Sequence, residues 1–365
     1  MPFQVNIAAT AFTLEPIETS LKSMAALAAS SSSVSVSFAG FDSAVQTLVD
    51  PTSVFYASGS DSVNVLMVRA MDLTAKGALD DLKTAVQDYD SKENVPPLVI
   101  VGCPQADKVS KDFKATLDIL SGSTSGSTLV ISAGDYIATA DIVFDEESYK
   151  LGYIPYSTAT YSHLASTVAR GISYLRNPTR PKLVVCDCDN TLWQGVAGTD
   201  DPKTIVGNAA LHKVLKRAKE GGLLLALCSK SNDGDIDAMF KANPKWDIKL
   251  SDFVARRVTF DKPKSELIKE MLAELNLTTL TSVVFVDDND VEIADVEANA
   301  PGVVCMRPPM ESPSREVYAH NMFLLDCLKV TETDKSRSKM YEVEAKRQAE
   351  RAANKSTMSF GEYIE

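Results

Sequence analysis

Leu183-Val184-Val185-Cys186 runs directly into Asp187-Cys188-Asp189-Asn190-Thr191, and how this passage reads decides the fold. A short apolar run bounded by polar residues is a buried strand, so the pentapeptide sets two carboxylates, flanking a thiol, at a strand's carboxyl end. Open α/β sheets gather their ligands at that end, where paired carboxylates can hold a divalent cation against a phosphate. The arrangement recurs downstream. Leu223 to Cys228 ends in Ser229-Lys230, and Ser282 to Val286 ends in Asp287-Asp288-Asn289-Asp290. Between these two lies Asp261-Lys262-Pro263-Lys264, a basic segment opening a helical pattern from Ser265 to Leu275, with Pro263 suited to the first helical turn. A lysine entering at that point can neutralise the charge of a phosphate.

Phosphoryl transfer is mostly positioning and charge neutralisation, and a carboxylate nucleophile approaches an anionic phosphate only when cations offset the repulsion. Asp187, Asp189 and Thr191, then Ser229, then Lys264, then Asp287 and Asp288 form an ordered set that resembles the haloacid dehalogenase superfamily of phosphotransferases. The resemblance implies that Asp187 attacks phosphorus and Asp189 protonates the leaving group. It implies that Ser229 and Lys264 bind the phosphoryl oxygens, with Thr191, Lys230 and Asn232 completing the substrate contacts. Mg²⁺ is then expected on Asp187, the backbone carbonyl of Asp189, and Asp287, with Asp288 in support. A structural reading, in which these carboxylates cap helices and decorate loops, accounts poorly for so many elements in this order.

A narrower resemblance covers nearly the whole chain. Asp187 to Trp193, Gly195-Val196-Ala197-Gly198, Cys228 to Asn232, and Phe285 to Asn289 with Glu292 are similar to the FkbH-like proteins, as are Phe12 to Pro16, Val49-Asp50-Pro51 and Gly152 to Ser157 upstream. The pattern departs from that family at Asp261, Leu267 and Ile293. The resemblance implies dephosphorylation of 1,3-bisphosphoglycerate and loading of its glyceryl unit, through an enzyme cysteine, onto the phosphopantetheine thiol of an acyl carrier protein for polyketide-type biosynthesis. Cys188 is the acceptor so implied. Neighbouring carboxylates raise its pKa and a bound cation lowers it, so only the metal-loaded site favours thiolate. The competing reading makes Cys188 a small apolar filler behind the strand, as Cys186 and Cys228 are within theirs. A plain Mg²⁺-dependent phosphohydrolase acting on a phosphoprotein or a small phosphometabolite is the alternative function.

With 365 residues, 45% of them hydrophobic and 24% charged, the chain has the composition of a soluble globular protein with room for two cores. A net charge of -12 and the lack of a basic stripe argue against nucleic acid as the main partner. No segment approaches a membrane span, and Met1-Pro2-Phe3-Gln4 lacks the basic start of a secretory signal. Six cysteines without dense pairing or metal spacing point to a reducing compartment, with the cytoplasm as the default. An acidic carrier protein would need a local basic face, for which Lys245, Lys249, Arg256, Arg257, Lys262 and Lys264 are the candidates.

The first half alternates strand-like and helical runs: Val5 to Ala9, Glu15 to Ala29, Val34 to Phe38, Val63 to Val68, Lys76 to Tyr89, Leu98 to Val101, Lys108 to Leu120 and Leu129 to Ser132. Such alternation predicts a doubly wound parallel sheet. In FkbH-like proteins this half is similar to an SGNH hydrolase. Here its first strand runs into Ala8-Ala9-Thr10-Ala11-Phe12-Thr13 and its sole histidine is His163, so a substrate- or carrier-binding role is expected in place of an esterase. Asn177-Pro178-Thr179-Arg180-Pro181 marks the boundary. The expected organisation is an SGNH-like α/β domain over 1–177, a haloacid-dehalogenase-like catalytic domain over 178–312, and a helical extension over 313–365 with patterns at Arg315 to Leu328 and Asp334 to Ala353. Stretches of roughly thirty to forty residues between motifs hold one βα unit and no folded lid, so the cap is minimal and the site open.

Overall fold

The apolar runs fold as parallel strands, because each is followed by a helical segment long enough to return the chain to the sheet's starting edge. The computed structural model describes residues 2–57, 61–104, 111–122, 128–137, 141–177, 180–309, 311, 314–329 and 340. The chain divides into two compact units, Met1–Pro178 and Thr179–Glu365. The helical pattern from Asp334 to Ala353 lies outside the described residues, Met340 excepted.

In the first unit β1 (Phe3–Ala9), α1 (Glu18–Ala28), β2 (Val34–Phe38), α2 (Ala44–Val49), β3 (Ser62–Val68), α3 (Ala78–Asp90), β4 (Leu98–Gly102), α4 (Lys111–Gly122) and β5 (Leu129–Ser132) are followed by α5 (Glu146–Gly152) and α6 (Thr158–Arg176). The strands lie in the order β2-β1-β3-β4-β5, all parallel. Its switch point falls between β1 and β3, where such sheets place a ligand. Arg69, 2% exposed, pairs with Asp72 at 2.7 Å and donates to the carbonyl of Ala11, while Thr10 Oγ1 donates to Asp72 at 2.6 Å.

The second unit contains β6 (Leu183–Cys186), the short ribbon β7 (Trp193–Gln194) and β8 (Val206–Gly207), α7 (Ala209–Glu220), β9 (Leu224–Ser229), α8 (Asp233–Ala242), β10 (Ala255–Val258), α9 (Lys264–Glu274), β11 (Val283–Val286), α10 (Asp290–Asn299), β12 (Val304–Met306) and α11 (Ser314–His320). Its main sheet is parallel throughout, in the order β10-β9-β6-β11-β12. Period-two alternation sorts β6 between two cores. Val184 and Cys186 pack with Leu211 and Leu215 of α7 and Ile236 of α8, while Leu183 and Val185 pack with Ile268 and Met271 of α9. Only the β7–β8 ribbon stands between β6 and α7, so the cap is minimal.

Two strands escape a search for apolar runs. β10 reads Ala-Arg-Arg-Val and β12 Val-Cys-Met, and both are sheet edges with largely half-exposed residues. An edge strand has one neighbour and little apolar demand, so its composition does not announce it. The helical pattern from Arg315 breaks after His320 and resumes as a 3₁₀ turn at Phe323–Leu325. Pro263 caps α9, and Lys264 is the first helical residue. Among the described residues no helix is long and apolar enough to cross a membrane.

Candidate active site

Sheet order and register assemble the site. The chain leaves β6 for β9 and β10 on one side and returns to β11 on the other, so the switch point lies between β6 and β11. Cys186 pairs with Val286, which brings the next residues, Asp187 and Asp287, side by side at the carboxyl edge. The amide of Asp187 donates to the carbonyl of Val286 and that of Asp287 to the carbonyl of Met306, continuing both ladders one residue past the strands. Asp187 is 5% exposed and Asp287 fully buried.

Two ionised carboxylates buried together repel, and a cation must join them. Lys264 does so. Its Nζ lies 2.6 Å from Asp187 Oδ1 and 2.6 Å from Asp287 Oδ2, and the side chain is 2% exposed. Burial works against the ammonium, but the charges of Asp187 and Asp287 overcome it and raise the lysine's pKa. Burial raises the pKa of Asp187, Lys264 opposes that shift, and Asp287 adds to it. Asp287 Oδ1 accepts from the amide of Asn289 at 2.9 Å, which turns the chain into α10.

Asp288 joins this pair: Asp187, Asp287 and Asp288 each offer a carboxylate oxygen within 4.8 Å of the others. Three carboxylates and one ammonium leave two negative charges, and hard oxygen donors suit a small divalent cation, so the donor set fits Mg²⁺. Thr191 fixes Asp288 from both sides. Its hydroxyl donates to Asp288 Oδ1 at 3.1 Å and accepts from the Asp288 amide at 3.2 Å. Thr191 is fully buried, so it supports Asp288 and does not open toward a substrate.

Asp189 is held by the segment that follows it. Its Oδ1 accepts from the indole Nε1 of Trp193 at 3.0 Å and from the amide of Ala197 at 2.8 Å, and burial raises its pKa. The loop closes because Asn190, with a φ of 55°, accepts from Gly195 N through its side chain, and because Gly195 and Gly198 take φ values of 119° and 79°. Trp193 was visible only as part of a motif. Its spacing of four from Asp189 is no signal for the contact, because the segment is a turn and not a helix.

The remaining candidates are placed unevenly. Ser229, 1% exposed, ends β9 two positions beyond the residue paired with Cys186. Lys230 donates to the carbonyl of Lys262, in the loop that leads to Lys264. Asn232 is exposed at the start of α8, and its amide donates to Asp235 at 3.0 Å. Cys188 is fully buried and continues the Val184–Cys186 face of β6, in the core with Leu192 and Trp193. Burial, then Asp187, raises its pKa well above the usual thiol value. Arg307 and Arg315, unremarked as site residues in the sequence, reach the motif loops, at the carbonyls of Asp288 and Asn190 respectively.

The basic stretch is tied into its own acids. Arg256 meets Asp237 at 2.6 Å and Asp233 at 3.3 Å, Arg257 meets Glu274 at 2.5 Å, and Lys262 meets Glu270 at 2.5 Å. His212 is structural, with its ring bonded to the carbonyl of Leu192 at 2.8 Å and its pKa lowered by burial.

Among solved structures the chain is similar to the N-terminal part of a Bacteroides fragilis protein that contains a phosphatase domain and was solved in complex with Mg. The two share 20% identity with a TM-score of 0.59, over 92% of this chain and 95% of that one. A hypothetical protein from Xanthomonas campestris shares 16% identity over 44% of this chain and 85% of its own, with a TM-score of 0.29 that carries no argument. No family model and no curated protein matches the chain. The likeness to the Bacteroides structure shows the fold, an α/β arrangement of parallel sheets.

Proposed function

We propose that the second unit is a Mg²⁺-dependent phosphatase working through an aspartyl phosphate. Asp187 forms the new bond to phosphorus, the bond from phosphorus to the leaving oxygen breaks, and Asp189 gives that oxygen its proton. Water then cleaves the acyl phosphate and regenerates Asp187. Lys264 orients Asp187 and offsets charge beside the incoming phosphate, while Thr191 holds Asp288 in place. Asp187, Asp287 and Asp288 would hold Mg²⁺, whose charge neutralises developing negative charge on the phosphoryl oxygens. The observation that carries this reading is Lys264 buried 2.6 Å from both Asp187 and Asp287, with Asp288 completing a cation-sized acidic group. The Mg complex and phosphatase domain of the Bacteroides protein agree with it.

Asp187→Asn tests it, because an amide is a poor nucleophile and a weaker ligand for Mg²⁺. Phosphate release from a panel of phosphometabolites should fall on the order of a thousandfold or more. A variant that keeps more than about a tenth of the parent rate would overturn the assignment.

The finer reading, glyceryl transfer from 1,3-bisphosphoglycerate to an acyl carrier protein as in FkbH-like proteins, is supported by the sequence resemblance and by the minimal cap, which leaves room for a tethered arm. It requires the Cys188 thiol to leave the core. Intact mass spectrometry of the protein incubated with Mg²⁺, 1,3-bisphosphoglycerate and a holo carrier protein decides it. A glyceryl adduct lost in Cys188→Ala supports transfer, and phosphate release without any adduct leaves hydrolysis.

A further inference from the structure

We propose that Trp193 is a positioning residue that fixes which oxygen of Asp189 carries the proton delivered to the leaving group. The proposal rests on the reading of Asp189 as the proton donor. Oδ1 of Asp189 accepts two N–H bonds, from Trp193 Nε1 at 3.0 Å and from the Ala197 amide at 2.8 Å. With both N–H donors on Oδ1, Oδ2 is the oxygen left open to carry a hydrogen toward the leaving group. The two bonds also stop rotation of the carboxyl plane, which would otherwise carry the hydrogen away from the reacting oxygen.

The indole can hold this position because it cannot turn. Trp193 is fully buried, stacks on Trp246 with ring centres 5.5 Å apart and planes 20° from parallel, and meets Phe240 edge-on at 5.8 Å. Trp246 rests against His212 at 5.4 Å, and His212 is anchored to the carbonyl of Leu192, the residue before Trp193. Gly207 lies under the stack, where an added Cβ would sit 2.6 Å from the Trp246 indole nitrogen. The aromatic group is therefore closed around the one N–H that reaches the site. A core-filling role alone would be met by phenylalanine and would not need that N–H aimed at a carboxylate.

In the step itself, the Asp187 oxygen bonds to phosphorus while the bond from phosphorus to the leaving oxygen breaks. The electron pair stays on the leaving oxygen, which takes the hydrogen from Asp189 Oδ2. An alkoxide leaving group needs that hydrogen, whereas nitrophenolate departs without it. Loss of the Trp193 N–H should therefore be felt according to the leaving group.

The test compares kcat/KM for an alkyl phosphate and for p-nitrophenyl phosphate, with Mg²⁺, in the parent and in Trp193→Phe. The expected result is a drop of about ten- to a hundredfold on the alkyl ester and of at most about twofold on the nitrophenyl ester. Because phenylalanine loosens the stack, a second variant carries 3-benzothienylalanine at position 193, which keeps the bicyclic ring and lacks the N–H. It should show the same selectivity. An equal loss on both esters, or no loss on either, overturns the role of Trp193 while leaving the phosphatase reading intact. Asp189→Asn separates the two: undiminished alkyl phosphate hydrolysis in that variant would sink Asp189 as the proton donor and the present inference with it.

Discussion

Lys264→Met removes the ammonium and keeps the length and much of the packing of the side chain. In the parent, the lysine is 2% exposed and stands 2.6 Å from each of two buried carboxylates. Breaking a buried pair by deleting one partner costs about 3–5 kcal/mol, because the other charge remains without compensation. Here two carboxylates lose their partner at once, so the upper end of that range is expected for metal-free protein near pH 8. Both tryptophans of the chain, Trp193 and Trp246, belong to the second unit, so urea unfolding followed by tryptophan fluorescence reports that unit alone. The pH dependence has a definite sign. Burial raises the folded pKa of Asp187, and deleting Lys264 removes the charge that opposes this shift. A carboxylate raised in the folded state stabilises that state below its unfolded pKa of about 4, and this contribution is lost as pH rises through the folded value. The difference between variant and parent should therefore be small near pH 4 and full near pH 8. Mg²⁺ should restore the variant more than it stabilises the parent, since three carboxylates without a lysine bind a cation more strongly. A difference below about 1 kcal/mol at pH 8 in EDTA, or one that widens toward acid pH, would refute the reasoning.

Cys188→Ala should retain phosphate release within about twofold and cost on the order of 1–2 kcal/mol of stability, the loss of one small buried side chain. In the native parent, iodoacetamide should leave Cys188 unmodified at pH 8, as read by peptide mass spectrometry, and rapid alkylation would show that the thiol is accessible. Thr191→Val removes the hydroxyl that bonds Asp288 at both its carboxylate and its amide. Its Mg²⁺ requirement, read as the half-saturating concentration for phosphate release, should rise about ten- to a hundredfold, and an unchanged value would show that Asp288 needs no such support.

The strands that carry the site were legible because each is buried on both faces and so reads as a continuous apolar run, as parallel strands under helices do. Their neighbours in the sheet were not. Nothing local states that β11 returns to the flank of β6 opposite β9, yet that order alone brings Asp287 beside Asp187. Lys264 was readable as a cation near the phosphate and not as a fully enclosed one, since a lysine opening a helix is ordinarily solvated and burial depends on two acids from other strands. Motif position assigns Lys230 and Asn232 to the substrate, and in the structure Lys230 donates to the carbonyl of Lys262, in the loop before Lys264, and Asn232 to Asp235, in the first turn of α8. Asn232 finds its partner three residues on, whereas Lys230 finds one in the loop before α9, which no local pattern states.

The alternation of a strand decides more than the core. Leu183 and Val185 face α9, and one step further in the same period stands Asp187, turned toward Lys264 at the start of that helix. Val184 and Cys186 face α7 and α8, and in the same period stands Cys188, enclosed with Leu192 and Trp193. A phosphate brought to Asp187 and a thiol at Cys188 therefore belong to opposite faces of one strand end. Transfer through Cys188 needs its thiol to leave the core beside a strand end whose backbone is held by the bond from the Asp187 amide to Val286 and by the two bonds from Trp193 and Ala197 to Asp189. The same period-two rule that buries the strand thus sets the Asp187 carboxylate and the Cys188 thiol on opposite sides of it, so the two groups are reached from different directions.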